Sequence, residues 1–251
     1  MRYAIFSDIH SNLEALVSFF HLVDLIEDLQ PICLGDIVGY AAHPNQCLAL
    51  IRERGIPTVI GNHDYAILDP LEAEAFNSQA KEVIQWQRRI IQDDYKRYMY
   101  GLPWIYVVDD AFAITHSSFF RPEEFRYLHT TQNALDSFLN MPTRIGFFGH
   151  THIPAVFTFD ASQRFEKALQ YEMIRGNNHT LTLNPDLYYL INPGSIGQPR
   201  DKDPRASFVI FDSESKTVTF RRFPYDYERE AADIRKASLP EMFADRLRGG
   251  Y

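Results

Sequence analysis

The sequence predicts an α/β fold with a largely parallel sheet toward its N-terminus. Short apolar runs of strand length alternate there with longer stretches that carry a helical apolar repeat. This alternation is typical of α/β folds, because a helix on the face of the sheet connects each strand to its parallel neighbour. The strand-like runs are residues 3–6, 32–34, 56–60, 105–108, 112–114 and 145–148.

Three stretches between these runs have helical patterns. Residues 12–29 place apolar side chains three and four positions apart. Residues 44–54 start with a proline suited to a first helical turn and stop before Gly55. Residues 64–103 are mostly helical in pattern and carry several aromatic side chains. We therefore expect a helical insertion at residues 64–103 that serves as a partial lid.

The C-terminal part of the chain has a different pattern. From residue 155 onward the runs indicate hairpins, including residues 206–212 and 217–223 joined by a turn at 213–216. Residues 226–247 have a helical pattern. No internal repeat, low-complexity tract or Pro/Gly/Ser-rich linker interrupts the 251 residues, so the sequence predicts a single domain over residues 1–251.

The composition is that of a soluble globular protein, with 45% hydrophobic and 23% charged residues. No apolar run approaches the roughly 18 residues of a membrane span, and the N-terminal apolar stretch is too short for a signal peptide. With only two cysteines, Cys33 and Cys47, these features predict a cytoplasmic protein. A net charge of −8 without a basic cluster disfavours duplex nucleic acid as a partner. Small phosphorylated molecules are still possible partners, because a metal site creates a local positive field.

Side chains capable of binding metal follow five of the predicted strands. Ligands in open α/β sheets bind at the carboxyl ends of the strands, so we expect these side chains to converge. They are Asp8 and His10 after the first run, Asp36 after the second, Asn62 and His63 after the third, His116 after a later run, and His150 and His152 after the last.

Taken singly, each of these motifs has an ordinary structural explanation. Asp-x-His and Gly-Asp are compatible with turns, and the segment from Asn62 to Asp64 could cap a helix. Taken together, they place five of the nine histidines beside carboxylates at strand ends. Burying so many polar groups without partners costs several kcal/mol. Metal ions remove that cost, so the combination predicts a metal centre.

In this order the motifs resemble those of the calcineurin-like metallophosphoesterases. The resemblance covers about the first 152 residues, and later segments around residues 192–195 and 204–207 resemble the bacterial branch related to dinucleoside-tetraphosphate hydrolases and small phosphodiesterases. It implies two facing mixed β-sheets flanked by helices, a four-layer α-β-β-α sandwich. The five blocks are Asp8-x-His10, Gly35-Asp36, Gly61-Asn62-His63-Asp64, His116 and Gly149-His150-x-His152.

The resemblance also implies two divalent metal ions per chain. The first ion is held by Asp8, His10, Asp36 and His152. The second is held by Asp36, Asn62, His116 and His150, so that Asp36 bridges the two. Imidazole and carboxylate ligands without a thiolate suit Mn, with Fe, Zn or Ni as alternatives. Two such ions polarise the phosphoryl oxygens and deprotonate a bridging water, and the resulting hydroxide attacks phosphorus in line.

The resemblance and side-chain chemistry indicate roles for four further residues. His63 belongs to neither set of metal ligands. It resembles the family's histidine that faces the leaving group, and it is expected to act as general acid. Asp64 is expected to orient His63, although a purely structural histidine is the alternative. Arg200 and Arg205 are candidates for phosphate contact, because a guanidinium binds phosphate with two hydrogen bonds. An ordinary surface salt bridge is the alternative for both arginines.

The function predicted from these features is hydrolysis of a small phosphodiester or nucleotide by a dinuclear metal centre. A protein serine/threonine phosphatase is the first alternative, because it uses the same metals. A nuclease is weakened by the absence of a basic track. A non-catalytic interaction scaffold is a different class of protein, and it is expected to lose catalytic groups that this chain retains.

Overall fold

The fold is that of a computed structural model, which describes residues 1–251 apart from the side chains of residues 165 and 166. Its helices are α1 (Leu13–Val23), α2 (Pro44–Glu53), α3 (Asn62–Leu68), α4 (Ser78–Ile90), α5 (Asp93–Tyr100), α6 (Thr131–Asn140), α7 (Phe165–Ala168), α8 (Tyr227–Lys236) and α9 (Glu241–Gly249), with 3-10 turns at Glu72–Ala75 and Pro122–Glu124. Its strands are β1 (Arg2–Phe6), β2 (Leu29–Cys33), β3 (Ile105–Val108), β4 (Phe112–Thr115), β5 (Ile145–Phe147), β6 (Ala155–Phe159), β7 (Leu169–Met173), β8 (His179–Thr182), β9 (Tyr188–Asn192), β10 (Ala206–Asp212) and β11 (Thr217–Phe223).

The strands form two mixed sheets. One has five strands in the order β2-β1-β10-β11-β8, and the other has six in the order β3-β4-β5-β9-β6-β7. In the first sheet β1 is parallel to β2 and antiparallel to β10. In the second, β4, β5 and β9 are parallel, and β6 runs antiparallel to β9. The parallel strands end at the edge where the candidate ligands follow them.

Alternating side chains hold four layers together, because successive residues of a strand point to opposite faces. In β1, Tyr3 and Ile5 join Phe147 of the other sheet in the core between the sheets. Phe6 instead packs outward with residues of α1 and α2. On the outer face of the second sheet, Phe138 of α6 packs with residues of β6 and β9. The predicted α/β class and the α-β-β-α sandwich of two facing mixed sheets are therefore confirmed.

The predicted strand at residues 56–60 does not join the sheet as a strand. It makes a single bridge, between Thr58 and Cys33. Pro57 has no amide hydrogen to donate to a ladder, and the amide of Ile60 already bonds to Pro103 at 3.0 Å. The chain thus passes along the edge of β2 and reaches the candidate site without extending the sheet.

The first predicted helix also differs, because it ends at Val23 and not at residue 29. Acidic side chains follow its last turn at Asp24, Glu27 and Asp28. Negative charge is unfavourable at the C-terminal end of a helix, where the helix dipole is already negative. The apolar repeat continues past this point, but its next member, Leu25, is 82% exposed.

The segment at residues 64–103 consists of α4, α5, most of α3 and one 3-10 turn. Helix α4 of this segment forms hydrogen bonds with the loop that follows Asp36. The buried side chain of Gln87 in α4 accepts a bond from the Gly39 amide at 2.8 Å and donates to the Ala41 carbonyl at 2.9 Å. The partial-lid role and the single domain over residues 1–251 stay predictions. Among the described helices, none combines the length and apolar character that crossing a bilayer requires.

Candidate metal centre

The predicted ligands come together at the carboxyl edge of the two sheets. Two groups of buried side chains each place their ligand atoms within 4.8 Å of one another. Asp36, which follows β2, belongs to both groups. The first group is Asp8, His10, Asp36 and His152, and the second is Asp36, His116 and His150.

Hydrogen bonds to the backbone orient the rings of the first group. His10 Nδ1 lies 3.1 Å from the Val38 carbonyl, and His152 Nδ1 lies 2.5 Å from the Gln198 carbonyl. An Nδ1 that donates to a carbonyl leaves Nε2 as an acceptor in the neutral ring. The two Nε2 atoms face each other at 3.0 Å, and two lone pairs so placed repel unless a cation lies between them. This geometry fits a metal ion.

The carboxylates of Asp8 and Asp36 each use one oxygen on the backbone and leave the other without a partner. Asp36 Oδ1 accepts from the amide of His63 at 2.8 Å, and Asp8 Oδ2 accepts from the amide of His150 at 3.1 Å. Asp8 Oδ1 and Asp36 Oδ2 are buried and have no hydrogen-bond partner among the described residues. An ionised oxygen buried in this way is costly unless a cation binds it.

The second group has the same character. His116 Nδ1 bonds to the Leu34 carbonyl at 2.8 Å, so its Nε2 is directed toward Asn62 Oδ1 at 3.1 Å and Asp36 Oδ2 at 3.4 Å. His150 Nε2 is buried and has no partner among the described residues. Asn62, at the start of α3, thereby joins the second group through its side-chain oxygen. The structure brings all seven predicted ligands to one place.

Five of these ligands have left-handed backbone conformations. The φ angles are 57° for Asp8, 51° for His10, 53° for Asp36, 66° for His150 and 60° for His152. For residues other than glycine this conformation costs about 1–3 kcal/mol, and it persists where surrounding contacts impose it. Five candidate ligands thus have strained backbone, a feature that is common at functional sites.

Two motif glycines let backbone segments approach the carboxylates closely. A Cβ added to Gly61 would lie 2.1 Å from Asp36 Oδ1, and one added to Gly149 would lie 1.9 Å from Ser7 Oγ and 2.7 Å from Asp8 Oδ2. No side chain larger than hydrogen fits at either position. The glycines in the sequence motifs thus set the position of the two carboxylates.

Burial and neighbouring charges set the protonation of the centre. Burial lowers the pKa values of His10, His150 and His152, so that these rings are neutral near pH 7 and offer lone pairs. Burial acts in the same direction on His116, but the Asp36 carboxylate outweighs it and raises the His116 pKa to about 9. Burial alone would raise the pKa of Asp36, yet the charge of His116 lowers it, so Asp36 is ionised.

His63 is packed within a set of rings beside the first group. Its ring centroid lies 4.4 Å from that of Tyr40, 4.6 Å from that of Phe76 and 4.7 Å from that of His10. Burial lowers its pKa to about 4. Its Nδ1 is buried and has no hydrogen-bond partner among the described residues. His63 is therefore near the candidate ligands, but its ring is held by packing.

The expected orientation of His63 by Asp64 is not what the structure shows. Asp64 Oδ1 accepts from the amide of Val38 at 3.0 Å, and Oδ2 accepts from the amide of Gly61 at 3.1 Å. Both oxygens are thus used to join the loop after β2 to the start of α3. Asp64 positions the backbone that carries Asp36 and Asn62, a role closer to the capping alternative than to a partner of His63.

The two candidate arginines have different surroundings. Arg200 donates from Nη2 to the hydroxyl of Tyr40 at 3.2 Å, and its amide bonds to the carbonyl of the ligand His152 at 3.3 Å. Arg205 instead forms an ion pair with Asp203 at 2.6 Å, with 42% of its side chain exposed. The structure brings Arg200 to the metal centre, whereas for Arg205 the salt-bridge alternative holds.

Two aromatic residues at the site were missed by the sequence analysis. The Tyr40 ring lies 4.5 Å from that of His10, and the Tyr127 ring stacks on that of His150 at 3.9 Å. Tyr40 follows Asp36 by four positions, which could have drawn attention to it. Tyr127 lies in a loop between a 3-10 turn and α6, where no periodic pattern or motif marks it.

Comparisons with known proteins agree with this centre. The calcineurin-like phosphoesterase superfamily domain matches residues 1–216. The uncharacterized protein MJ0912 of Methanocaldococcus jannaschii is 35% identical over 247 residues, covering 97% of this chain and 96% of that protein. The crystal structure of a metallophosphoesterase from Sphaerobacter thermophilus is 32% identical, with a TM-score of 0.84 over 100% of both chains.

A more distant crystal structure has the same fold. The hypothetical protein PH1004 from Pyrococcus horikoshii OT3 is 18% identical and has a TM-score of 0.77, covering 100% of this chain and 98% of that one. The five motifs, the sandwich of two sheets and the extent of the domain match lead to one conclusion. This chain belongs to the calcineurin-like phosphoesterase superfamily.

Proposed function

We propose that this protein is a dinuclear metal-dependent phosphoesterase that hydrolyses a small phosphodiester or nucleotide. The observation that carries the proposal is the shared position of Asp36. Its unpartnered Oδ2 lies 3.5 Å from His10 Nε2 in one group of acceptors and 3.4 Å from His116 Nε2 in the other. Two divalent ions bound by the two groups would polarise a phosphate ester and activate a water molecule.

The ligand chemistry favours first-row metals. Each group combines imidazole nitrogen with carboxylate or amide oxygen, and both cysteines lie elsewhere in the buried core. Such sites suit Mn, Fe, Zn or Ni, and Mn is our first choice. The backbone bonds that fix the imidazole tautomers of His10, His116 and His152 are those that commonly tune metal-binding histidines.

A small substrate fits the surroundings of the centre better than a folded protein does. Tyr40 and Phe76 pack on His63, and Tyr127 stacks on His150. These rings narrow the approach to the ligands, which makes a protein serine/threonine phosphatase the weaker alternative. A scaffold without catalysis is weaker still, because all seven ligand positions and His63 are filled. We propose a cytoplasmic setting and a small phosphorylated substrate.

His63 is our candidate for the general acid that protonates the departing alkoxide. Its low pKa means that it is neutral before substrate binds, and the negative charge of a bound phosphate would favour its protonated form. We expect His63→Ala to slow hydrolysis of alkyl phosphodiesters much more than that of p-nitrophenyl esters, whose leaving group needs little protonation. Equal losses on both substrates at normal metal content would contradict this role.

Metal depletion tests the proposal as a whole. The purified protein is stripped of metal, reconstituted separately with Mn²⁺, Fe²⁺, Ni²⁺, Zn²⁺ or Mg²⁺, and assayed with bis-p-nitrophenyl phosphate and p-nitrophenyl phosphate. We expect two ions per chain and turnover that returns with metal. Asp36→Asn should abolish metal binding and turnover, because the Asp36 side chain belongs to both groups of candidate ligands. Asp110→Asn, in an exposed turn, is the matched control.

Either of two outcomes would contradict the proposed function. One is the absence of bound metal in the reconstituted protein, which would favour the scaffold. The other is phosphoester turnover that Asp36→Asn leaves unchanged. The ratio of the rates on the two substrates then separates phosphodiesterase from phosphatase activity.

A further inference from the structure

Arg200 is a cation without a carboxylate partner at the side of the metal centre. Its Nη2 bonds to the Tyr40 hydroxyl at 3.2 Å and to Gln198 Oε1 at 3.0 Å, and its Nε is buried without a partner. No carboxylate of a described side chain lies within 4.0 Å of its guanidinium. Both of its bonded partners are neutral, so no hydrogen-bonded carboxylate compensates its positive charge.

A second arginine, Arg246, belongs to helix α9, which packs on Tyr40 through Phe243. Phe243 packs on Tyr40 with ring centroids 4.9 Å apart, and the guanidinium carbon of Arg246 lies 5.8 Å from the Phe243 ring. Arg246 is thus one helical turn from the residue that contacts Tyr40, on the same face of α9. Helix α9 lies outside the matched residues 1–216 of the superfamily domain.

Arg246 also has no ion pair with a described side chain, unlike other arginines nearby. Arg229 pairs with Glu14, and Arg235 pairs with Glu241 and Asp245. Both guanidiniums lie against one pair of packed rings, that of Arg200 at 5.6 Å from the Tyr40 ring and that of Arg246 at 5.8 Å from the Phe243 ring. Burial and the charge of Arg200 also lower the pKa of Arg246. Two guanidiniums on one pair of packed rings, neither in an ion pair with a described side chain, are typical of a site that binds an anion.

The charge of the metal centre strengthens this reading. Two divalent ions against the carboxylates of Asp8 and Asp36 leave the centre positive, and the two guanidiniums add to that charge. A phosphodiester brings a single negative charge and does not balance it. A substrate with a further phosphate does, and the fork of an arginine suits that group.

We propose that Arg200 and Arg246 bind a second phosphate group of the substrate, next to the phosphate that is hydrolysed at the metal centre. The inference rests on the proposed function, which supplies the scissile phosphate. It narrows the substrate class to small molecules with at least two phosphate groups a few bonds apart, and it makes α9 a determinant of specificity.

Calorimetric binding to the Mn²⁺-loaded protein tests this subsite. The probes are AMP and the methylene-bridged analogue of ADP, which resists hydrolysis of its diphosphate, at a constant excess of free Mn²⁺. We expect the diphosphate to bind at least about tenfold more tightly, as a charge-assisted hydrogen-bonded contact would give. Arg246→Gln and Arg200→Gln should each reduce that ratio to within about twofold.

Two further variants complete the experiment. Arg246→Lys keeps the charge but loses the planar fork, so its ratio should fall between those of the wild type and Arg246→Gln. Arg248→Gln, an exposed arginine on the same helix, is the matched control and should keep the wild-type ratio. Equal affinities for the two probes in the wild-type protein, or a ratio that both Gln variants preserve, would overturn the proposal.

The outcome also separates the subsite from the proposed function. A diphosphate preference that depends on Arg246, in a protein that hydrolyses no phosphoester, would support the subsite and contradict the phosphoesterase. Turnover of bis-p-nitrophenyl phosphate with equal binding of the two probes would support the phosphoesterase and contradict the subsite.

Discussion

Residues with left-handed backbone occur at both ends of the sandwich, in very different surroundings. At the end opposite the metal centre, the turn between β3 and β4 has φ angles of 48° at Asp109 and 53° at Asp110. Both residues are exposed, and Asp is a residue type that tolerates this conformation in turns. At the metal end, His10 and Asp36 have φ angles of 51° and 53° but are 1% exposed.

The difference lies in what compensates the strained backbone. In the exposed turn, Asp109 Oδ2 accepts from the Tyr3 hydroxyl at 2.6 Å, and aspartate tolerates the left-handed conformation of the turn. At the metal end, the strained residues also present buried acceptor atoms to one another, such as His10 Nε2 and His152 Nε2 at 3.0 Å. A bound metal ion would satisfy these atoms. The metal end is therefore built for a ligand, and changes there should affect metal binding before they affect the fold.

The largest effect should come from filling the space beside Asp36. Gly61→Ala places a Cβ 2.1 Å from Asp36 Oδ1, which must displace the shared carboxylate. We expect metal content to fall and phosphoester turnover to drop by at least about a hundredfold, since misplacement by about 1 Å can cost that much. Gly101→Ala is the matched control, because its Cβ would meet only ordinary contacts at 3.5 Å. Equal activity of the two variants would contradict the crowding argument.

Metal binding should stabilise the folded protein. At a free metal concentration 100 times the Kd, one bound ion raises the free energy of unfolding by about 2.7 kcal/mol. For a chain of this size that corresponds to a rise in Tm of about 5–10 °C. Thermal unfolding with and without Mn²⁺ measures it. Asp36→Asn should abolish the rise, and a rise of the same size in that variant would mean that the ions bind elsewhere.

Glu230 is a buried carboxyl whose pKa is shifted in the opposite direction to that of Asp36. Glu230 of α8 is buried, its Oε1 has no partner among the described residues, and burial raises its pKa from 4.5 to about 7. The folded protein thus binds this proton more tightly than the unfolded chain does. The contribution of Glu230 to stability is complete below pH 4.5 and is lost as the pH rises from about 4.5 to about 7.

Replacing this carboxyl by an amide measures the effect. Glu230→Gln should raise the free energy of unfolding at pH 8 by on the order of 2 kcal/mol relative to the wild type. At pH 4.5 the two proteins should be nearly equal. Urea unfolding at both pH values gives the comparison, with the exposed Glu228→Gln on the same helix as control. A variant that is no more stable at pH 8 would contradict the raised pKa.

The smallest effect is expected at Arg205. Its guanidinium is paired with Asp203 and its side chain is 42% exposed, and ion pairs at the surface contribute about 0–1 kcal/mol. Arg205→Ala should change stability by no more than that, and KM should stay within about twofold, because a lost exposed pair leaves the phosphate subsite intact. Steady-state kinetics beside Arg200→Ala tests the contrast between the two arginines. A larger increase of KM in Arg205→Ala than in Arg200→Ala would reverse our assignment.

The fold class and the candidate metal ligands could be predicted from the amino-acid sequence. Apolar runs and helical repeats specify which segments become strands and helices, because burial of one face requires that periodicity. The candidate ligands are visible because most of them follow a strand within a few residues, as Asp36 and His116 do, and strand ends meet at one edge of a sheet. The glycines before Asp36 and His150 are visible for a related reason, since only glycine permits such close approach.

The remaining groups around the candidate ligands depend on tertiary packing. Tyr127, Arg200 and Arg246 lie on separate loops and helices, and their distances from the ligands depend on how whole layers pack. The partners of Asp64 also depend on this packing, because its carboxylate oxygens accept hydrogen bonds from two backbone amides and not from His63. Local periodicity carries no information about such long-range neighbours, because they result from the packing of elements that are distant in the chain. The candidate ligands and Arg200 could thus be proposed from the sequence, whereas Tyr127 and Arg246 could not.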